Sequence, residues 1–390
     1  MPIARSLQYK CRDIAVPPPP PPAPSPPPPP PGTPNWYANQ ASGTWGTLPG
    51  GTLAASGVMQ SGADSILTAW GGGIINSTGL YVGSTFLSGT FLVIWGGGHG
   101  DYSGNEYYAF GPFESDTPQW YRPRDRTVPA PNNVSEDGSG NPVSRHTYGS
   151  LVYIPGSNRM ITVGGGGRYS DANDSNLIHI LDFNQPNPNS SQPWSKASAS
   201  PPTTMWMAGY DPGLDTIFGN YVAGNSLIAS YGVSSNTANS YIFKSPNNHT
   251  SGSSCAMDYN RHIIAFYSSQ DGMQFFDCRN PSANDYYTPT TTGTGPTNGS
   301  SGMCYDPVAD RFVMWRNNGK ELWFLTPPTT SPYQGGNAWT WSSVNPSTGA
   351  TPSAAQTNGT YGRFAYSPNS TVRGYSLLNS SSGSIYFYKP

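Results

Sequence analysis

One short pattern returns along this chain: an apolar strand, a tight turn, then a second strand rich in β-branched residues. It reads SLVYIPGSNRMITVGGG from Ser150, AGYDPGLDTIFGNYV from Ala208, CAMDYNRHIIAFYSS from Cys255, MCYDPVADRFVMW from Met303 and FAYSPNSTVRGYSLL from Phe364. The usual core is an aromatic residue, then Asp or Ser, Pro and a turn. With Tyr153, Tyr210, Met257, Tyr305 and Tyr366 taken as equivalent, the steps are 57, 47, 48 and 61 residues. That period suits four-stranded propeller blades and is longer than most helical repeats. An earlier unit around FLVIWGGGHG, from Phe91, makes six.

Composition agrees with an all-β chain. Only 10% of residues are charged, against roughly 25% in ordinary soluble proteins. With four Glu and five Lys, the straight-chain residues that cover solvated helix faces are nearly missing. Aromatics at 13% favour strands. A net charge of −2 leaves no basic footprint for nucleic acid or anionic lipid, and no apolar run is long enough for a membrane span. Neutral polar partners such as sugars fit better. The four cysteines, Cys11, Cys255, Cys278 and Cys304, show no metal spacing, and the last three read as buried packing residues on strands.

Several units continue with a third strand and a Trp-bearing fourth: EYYAF then QWY at Trp120, LIHILDF then PWSKA at Trp194, ELWFL then AWTW at Trp339 and Trp341. The last unit stops after three strands. GTWGTL, residues 43–48, resembles the other Trp-bearing outer strands, and supplying it from the front of the domain closes the ring without an exposed sheet edge. The glycine runs at 96–98 and 164–167, the large residue in the third strand and the Trp in the fourth resemble kelch repeats, the propeller type of the galactose-oxidase central domain. The sharpest segment is WGGGHGDYSGNEYYAF, residues 95–110. The resemblance implies a six-bladed propeller over residues 35–390, with seven blades as the alternative if residues 50–88, which carry their own WGGG at Trp70, hide another unit.

Ahead of the propeller, residues 16–34 contain 14 of the 41 prolines. Fixed φ and missing N–H groups impose a polyproline II rod. The tract reads as a stiff linker holding residues 1–15 away as a docking peptide, with a disordered tail or a proline ligand for an aromatic groove as the plainer alternatives. The first ten residues have no apolar stretch, so a chain starting at Met1 is expected not to follow the usual secretory route.

In a propeller, the loops joining strands two and three and those entering strand one share a face around the central channel. In the first two units these loops carry His99, Asp101, Tyr102, Asn105, Arg145, His146, Tyr148, Arg168 and Tyr169, a set of aromatic platforms beside Arg, His and Asp suited to a glycan. The plain reading is that glycines there serve tight turns and that His99 and Asp101 cap the backbone. A copper oxidase of the galactose-oxidase type needs a His and Tyr copper site with a Tyr–Cys cross-link. Only five His exist, and His262 falls on a turn of the opposite face, so no metal or other cofactor is expected. Propeller polysaccharide lyases are a nearer comparison: His99 with His146, Tyr102 or Tyr148, and Arg145 or Arg168 fit the parts of abstracting a proton and gripping a uronate carboxylate. A glycosidase, with four Glu and no evident Asp pair on these loops, is the weakest enzyme case. The combined reading is a bacteriophage virion surface protein that displays a glycan- or receptor-binding propeller on a proline stalk and docks to the virion through residues 1–15. The alternatives are a polysaccharide lyase and a protein-binding kelch scaffold.

Overall fold

The computed structural model describes residues 32–67, 72–97, 102, 104–127, 134–168, 175–185, 194–220, 227–242, 254–268, 271–279, 281, 286–297, 301–330, 337–356 and 359–390, the side chains of 167, 168 and 242 excepted. Residues 1–31, which hold the docking peptide and most of the proline tract, lie outside the described residues.

Six antiparallel meanders form the body. Blade 1 comprises Gly73–Val82, Thr85–Trp95, Tyr107–Gly111 and Gln119–Arg124. Blade 2 comprises Leu151–Ile154, Arg159–Val163, Ile178–Asp182 and Ser195–Lys196. Blade 3 runs Met207–Asp211, Thr216–Asn220, Leu227–Gly232 and Thr237–Ile242; blade 4 runs Ser254–Asp258, Ile263–Ser268, Gly272–Asp277 and Tyr286–Tyr287. Blade 5 is Gly302–Asp306, Arg311–Trp315, Leu322–Thr326 and Trp339–Val344, with Thr291–Thr292 added in parallel at its outer edge. Blade 6 has Phe364–Ser367, Gly374–Leu377 and Tyr386–Lys389 from the end of the chain, and its outer strand, Thr44–Thr47, from the front. The innermost strands touch all the way round, blade 6 meeting blade 1, so the chain is a closed six-bladed β-propeller. Residues 50–88 do not form a seventh blade: where described, they hold two 3-10 turns and then the first strands of blade 1.

The apolar pattern follows from this architecture. Six hydrophobic clusters lie one in each gap between neighbouring blades, for example Phe91, Val93, Trp95 and Tyr107 of blade 1 against Met160, Leu181 and Trp194 of blade 2. Middle strands are therefore covered on both faces and read as continuous apolar runs. Phe91, Leu92, Val93, Ile94 and Trp95 are all fully buried. The three described cysteines fill this interior as free thiols, Cys255 half-buried and Cys278 and Cys304 buried.

The recurring Asp-headed turn has a physical cause. Asp211, Asp258 and Asp306 end the innermost strands of blades 3, 4 and 5, and each Oδ1 accepts the amides two and three residues on. Four residues on, the chain passes through a left-handed residue: Asp215, His262 and Asp310, with Asn158 in blade 2. That conformation costs roughly 1 kcal/mol for a non-glycine residue. The repeat tyrosine offsets the cost: Tyr153 donates to Asn158 at 2.9 Å, Tyr210 to Asp215 at 2.9 Å and Tyr305 to Asp310 at 2.6 Å. Tyr231 and Asn236 repeat the device in the outer hairpin of blade 3.

These hairpins are tied to the next blade by polar contacts and ion pairs. His262 Nδ1 lies 2.8 Å from Asp211 Oδ2, Arg261 bridges Asp258 (2.8 Å) and Asp310 (2.6 Å), and Arg373 of blade 6 reaches Asp306 at 3.0 Å. The face carrying these turns is called the hairpin face below. His262 sits on it, as the sequence predicted.

Candidate functional site

The opposite face carries the connections between strands two and three and those between blades. Here the entry segment Arg145–His146 pairs antiparallel with Gly166–Arg168, and Gly97 N donates to Arg145 O at 3.1 Å. The two glycine runs make this approach feasible. Gly96, Gly97, Gly164 and Gly165 all have φ between 114° and 148°. A Cβ on Gly97 would come within 2.6 Å of Tyr102 Cβ, and one on Gly165 within 2.5 Å of His146 O. The fold thus brings three loops of blades 1 and 2 together.

His99, Asp101 and Tyr169 lie outside the described residues; Arg168 is described only by its backbone, which pairs with Arg145. Tyr102 is buried and donates to the Glu106 carboxylate, which also accepts Tyr108 at 2.8 Å. Burial, with the Glu106 charge beside it, pushes the Tyr102 hydroxyl well above the ordinary phenol range. Asn105 is spent on the loop itself, accepting Thr127 N at 2.9 Å and donating to Pro142 O at 3.2 Å. Arg145 and His146 are 0% and 1% exposed, beneath the surface.

Arg145 instead begins a relay that runs from the interior to the surface. Its Nη2 lies 3.2 Å from His179 Nδ1, His179 Nε2 lies 2.9 Å from Glu136 Oε1, and Lys196 Nζ donates to Glu136 Oε2 at 2.7 Å. Arginine only donates, so His179 accepts at Nδ1 and carries its proton at Nε2, toward the carboxylate. Burial, with Arg145 close by, drives His179 down to about 3, so the native imidazole is neutral. An unfolded chain takes up this proton near pH 6.5 and the native one does not. Stability attributable to His179 is therefore present above pH 6.5 and declines as pH falls toward 3. Between pH 7 and 5 the loss is about 2 kcal/mol. Urea melts of His179→Gln at both pH values should show a smaller decline than the parent by about that amount; parallel declines would refute the assignment.

Nearer the axis, Tyr148 belongs to an aromatic group that the sequence reading did not assemble. Its ring stacks on Trp206 (centroids 4.6 Å apart, planes at 18°) and meets Tyr361 edge-on at 5.5 Å. These residues precede the innermost strands of blades 2, 3 and 6, at this end of the propeller. Tyr361 and Gly362 then line a small cavity of about 110 Å³ beneath. Tyr148 and Tyr361 are both left-handed, at φ 47° and 48°. The tripeptide Thr-Tyr-Gly occurs at 147–149 and again at 360–362. That repetition is the signal by which Tyr361 could have been found from sequence; Trp206 carries none.

Among the described residues no group of three His, Cys, Asp or Glu side chains converges as a cation site, and no helix is long and apolar enough to cross a membrane. No protein-family model matches the chain, and no curated protein is significantly similar to it. Among solved structures, the major Malassezia sympodialis allergen Mala s 1 is similar at TM-score 0.46 and 11% identity, over 82% of this chain and 95% of that one. The likeness concerns the fold alone.

Proposed function

We propose that this chain is a virion surface protein of a bacteriophage, with a kelch-type propeller that holds a cell-surface glycan on the face carrying Tyr148, Trp206 and Tyr361. The observation that carries this reading is where the chain enters. The short helix Asn35–Ala38 sits on the hairpin face: Trp36 Nε1 donates to Phe113 O and Ser115 O, and Tyr37 donates to Arg373 O at 2.8 Å. The proline tract joins at that end, so a propeller mounted through its N-terminus presents the aromatic cluster outward. Trp206, partly exposed and held by the Tyr148 ring stacked on it, is the aromatic surface this face would offer to sugar C–H groups. Matching glycine geometry after Trp95 and Val163 supports the kelch type.

Arg145 and His146, two of the residues the lyase alternative would use on a polymer, are buried, which favours the display reading over it. A glycan array probed with the full chain and with Trp206→Ala tests the proposal. Binding weakened at least tenfold in the variant is expected; unchanged binding removes this face. Unsaturated uronate appearing on incubation with acidic polysaccharides would replace the display reading with the lyase.

A further inference from the structure

Among the described residues, a second opening lies at the other end of the channel. A well of about 640 Å³ reaches from Leu151 and Ala208, midway along the axis, to Pro155, Gly156 and Pro212 in the hairpin turns. Its walls come from blades 2 to 5, and each contributes a tyrosine: Tyr153, Tyr210, Tyr259 and Tyr305. The hydroxyls of Tyr153, Tyr210 and Tyr305 are engaged by their own hairpins, and those of Tyr153 and Tyr305 also by Thr78 and Asn260 of the preceding blades, so ring surface is what is left for an occupant. No charged side chain lines the well.

An occupant matching these walls is rigid, apolar and poor in N–H donors. This chain carries one. Tyr37 donates to Arg373 O, Arg373 pairs with Asp306, and Asp306 follows Tyr305 of the wall, so the described chain starts a few side chains from the well. Residues 16–31 span about 50 Å as polyproline II, against about 20 Å for the radius of gyration of a domain this size. We propose that the proline tract lies back across the hairpin face and seats part of its length in the tyrosine-lined well. Aromatic grooves take polyproline because its shape is preformed and little entropy is lost. Tethering adds an effective concentration in the millimolar range. So seated, the tract leaves near the channel axis and mounts the propeller centrally. This is independent of what the opposite face binds.

The test uses a fluorescent synthetic peptide of residues 16–34 and two forms of the full-length protein: the native chain, and one whose prolines 17–31 are replaced by Gly and Ser at equal length. Anisotropy should show the replaced chain binding the peptide at micromolar concentration and the native chain at least tenfold more weakly, its own tract holding the well. Gly156→Arg in the replaced chain should abolish uptake. No atom lies within 4 Å of a Cβ at Gly156, so that variant is expected to melt like its parent. No uptake by the replaced chain, equal uptake by the native chain, or indifference to Gly156→Arg overturns the proposal. Blocking seen only at concentrations where the native chain sediments as a dimer overturns it in favour of a second copy's tract.

Discussion

Removing residues 1–48 should abolish the cooperative thermal transition, whereas removing residues 1–31 should shift it by no more than a few degrees. The longer deletion takes away Thr44–Thr47, the outer strand of blade 6, and bares the edge of Tyr386–Lys389. It also removes Trp45, 1% exposed, whose indole packs in the cluster between blades 5 and 6 and donates to Lys320 O at 2.9 Å. Trp36 and Tyr37, edge-on to Phe387 at 5.4 and 6.0 Å, go with it. A buried Trp alone is worth about 3–5 kcal/mol, and a domain holds only about 5–15 kcal/mol in all. An open ring also presents an unpaired strand edge, so aggregation is the expected fate. Calorimetry of both truncations decides it: a sharp, reversible transition after removal of residues 1–48 would show that closure through the N-terminal strand is dispensable.

Asp306→Ala should cost about 3–5 kcal/mol at pH 7, the range for breaking one side of a buried ion pair. Asp306 is fully buried. Its Oδ1 ends the innermost strand of blade 5 by accepting Val308 N and Ala309 N, and its Oδ2 receives Tyr375 at 2.7 Å and Arg373 at 3.0 Å from blade 6. Substitution leaves these four donors without their acceptor and cuts the link between the two blades. Burial alone would raise this carboxyl, but the Ala309 amide, the Tyr375 hydroxyl and the Arg373 guanidinium together outweigh it and hold the group below the ordinary 3.8. A depressed carboxyl stabilises the fold fully above its unfolded value, and that contribution is lost as pH falls through the folded value. The deficit of Asp306→Ala relative to the parent should therefore be largest at neutral pH and shrink below pH 3.8. Urea melts at pH 7 and pH 3 test this, and a deficit that stays constant with pH would mean that the charge of Asp306 is not what the hairpin uses.

The repeat itself was legible because its turn is a local device. Asp211, Asp258 and Asp306 cap amides within three residues, and Tyr153, Tyr210 and Tyr305 each reach only five residues on, so the pattern survives in a short window of sequence. Closure through residues 43–48 was legible for a related reason: the last unit lacks a strand that the front of the domain supplies. The meeting of the loops at Gly97, Arg145 and Gly166 followed once blades were assumed. What could not be read there was depth. Arg145 and His146 look like surface donors in sequence, but burial depends on how the entry segment folds under the neighbouring loops. His179, 34 residues away, is one of the partners that hold Arg145 inside.

By itself, then, the sequence determined the unit: a strand, an Asp-capped turn and a left-handed residue, repeated at blade spacing behind a proline tract. These are settled by hydrogen bonds that span a few residues. Only the tertiary structure decided what the repeat tyrosines border. Tyr153, Tyr210, Tyr305 and Tyr366 occupy one place in the repeat and all pack toward the preceding blade, as the shared alternation of the innermost strands requires. The first three also line the well, and Tyr366 does not. Where the well opens depends on the stagger and twist of six sheets closing on one another, and no single repeat contains that information.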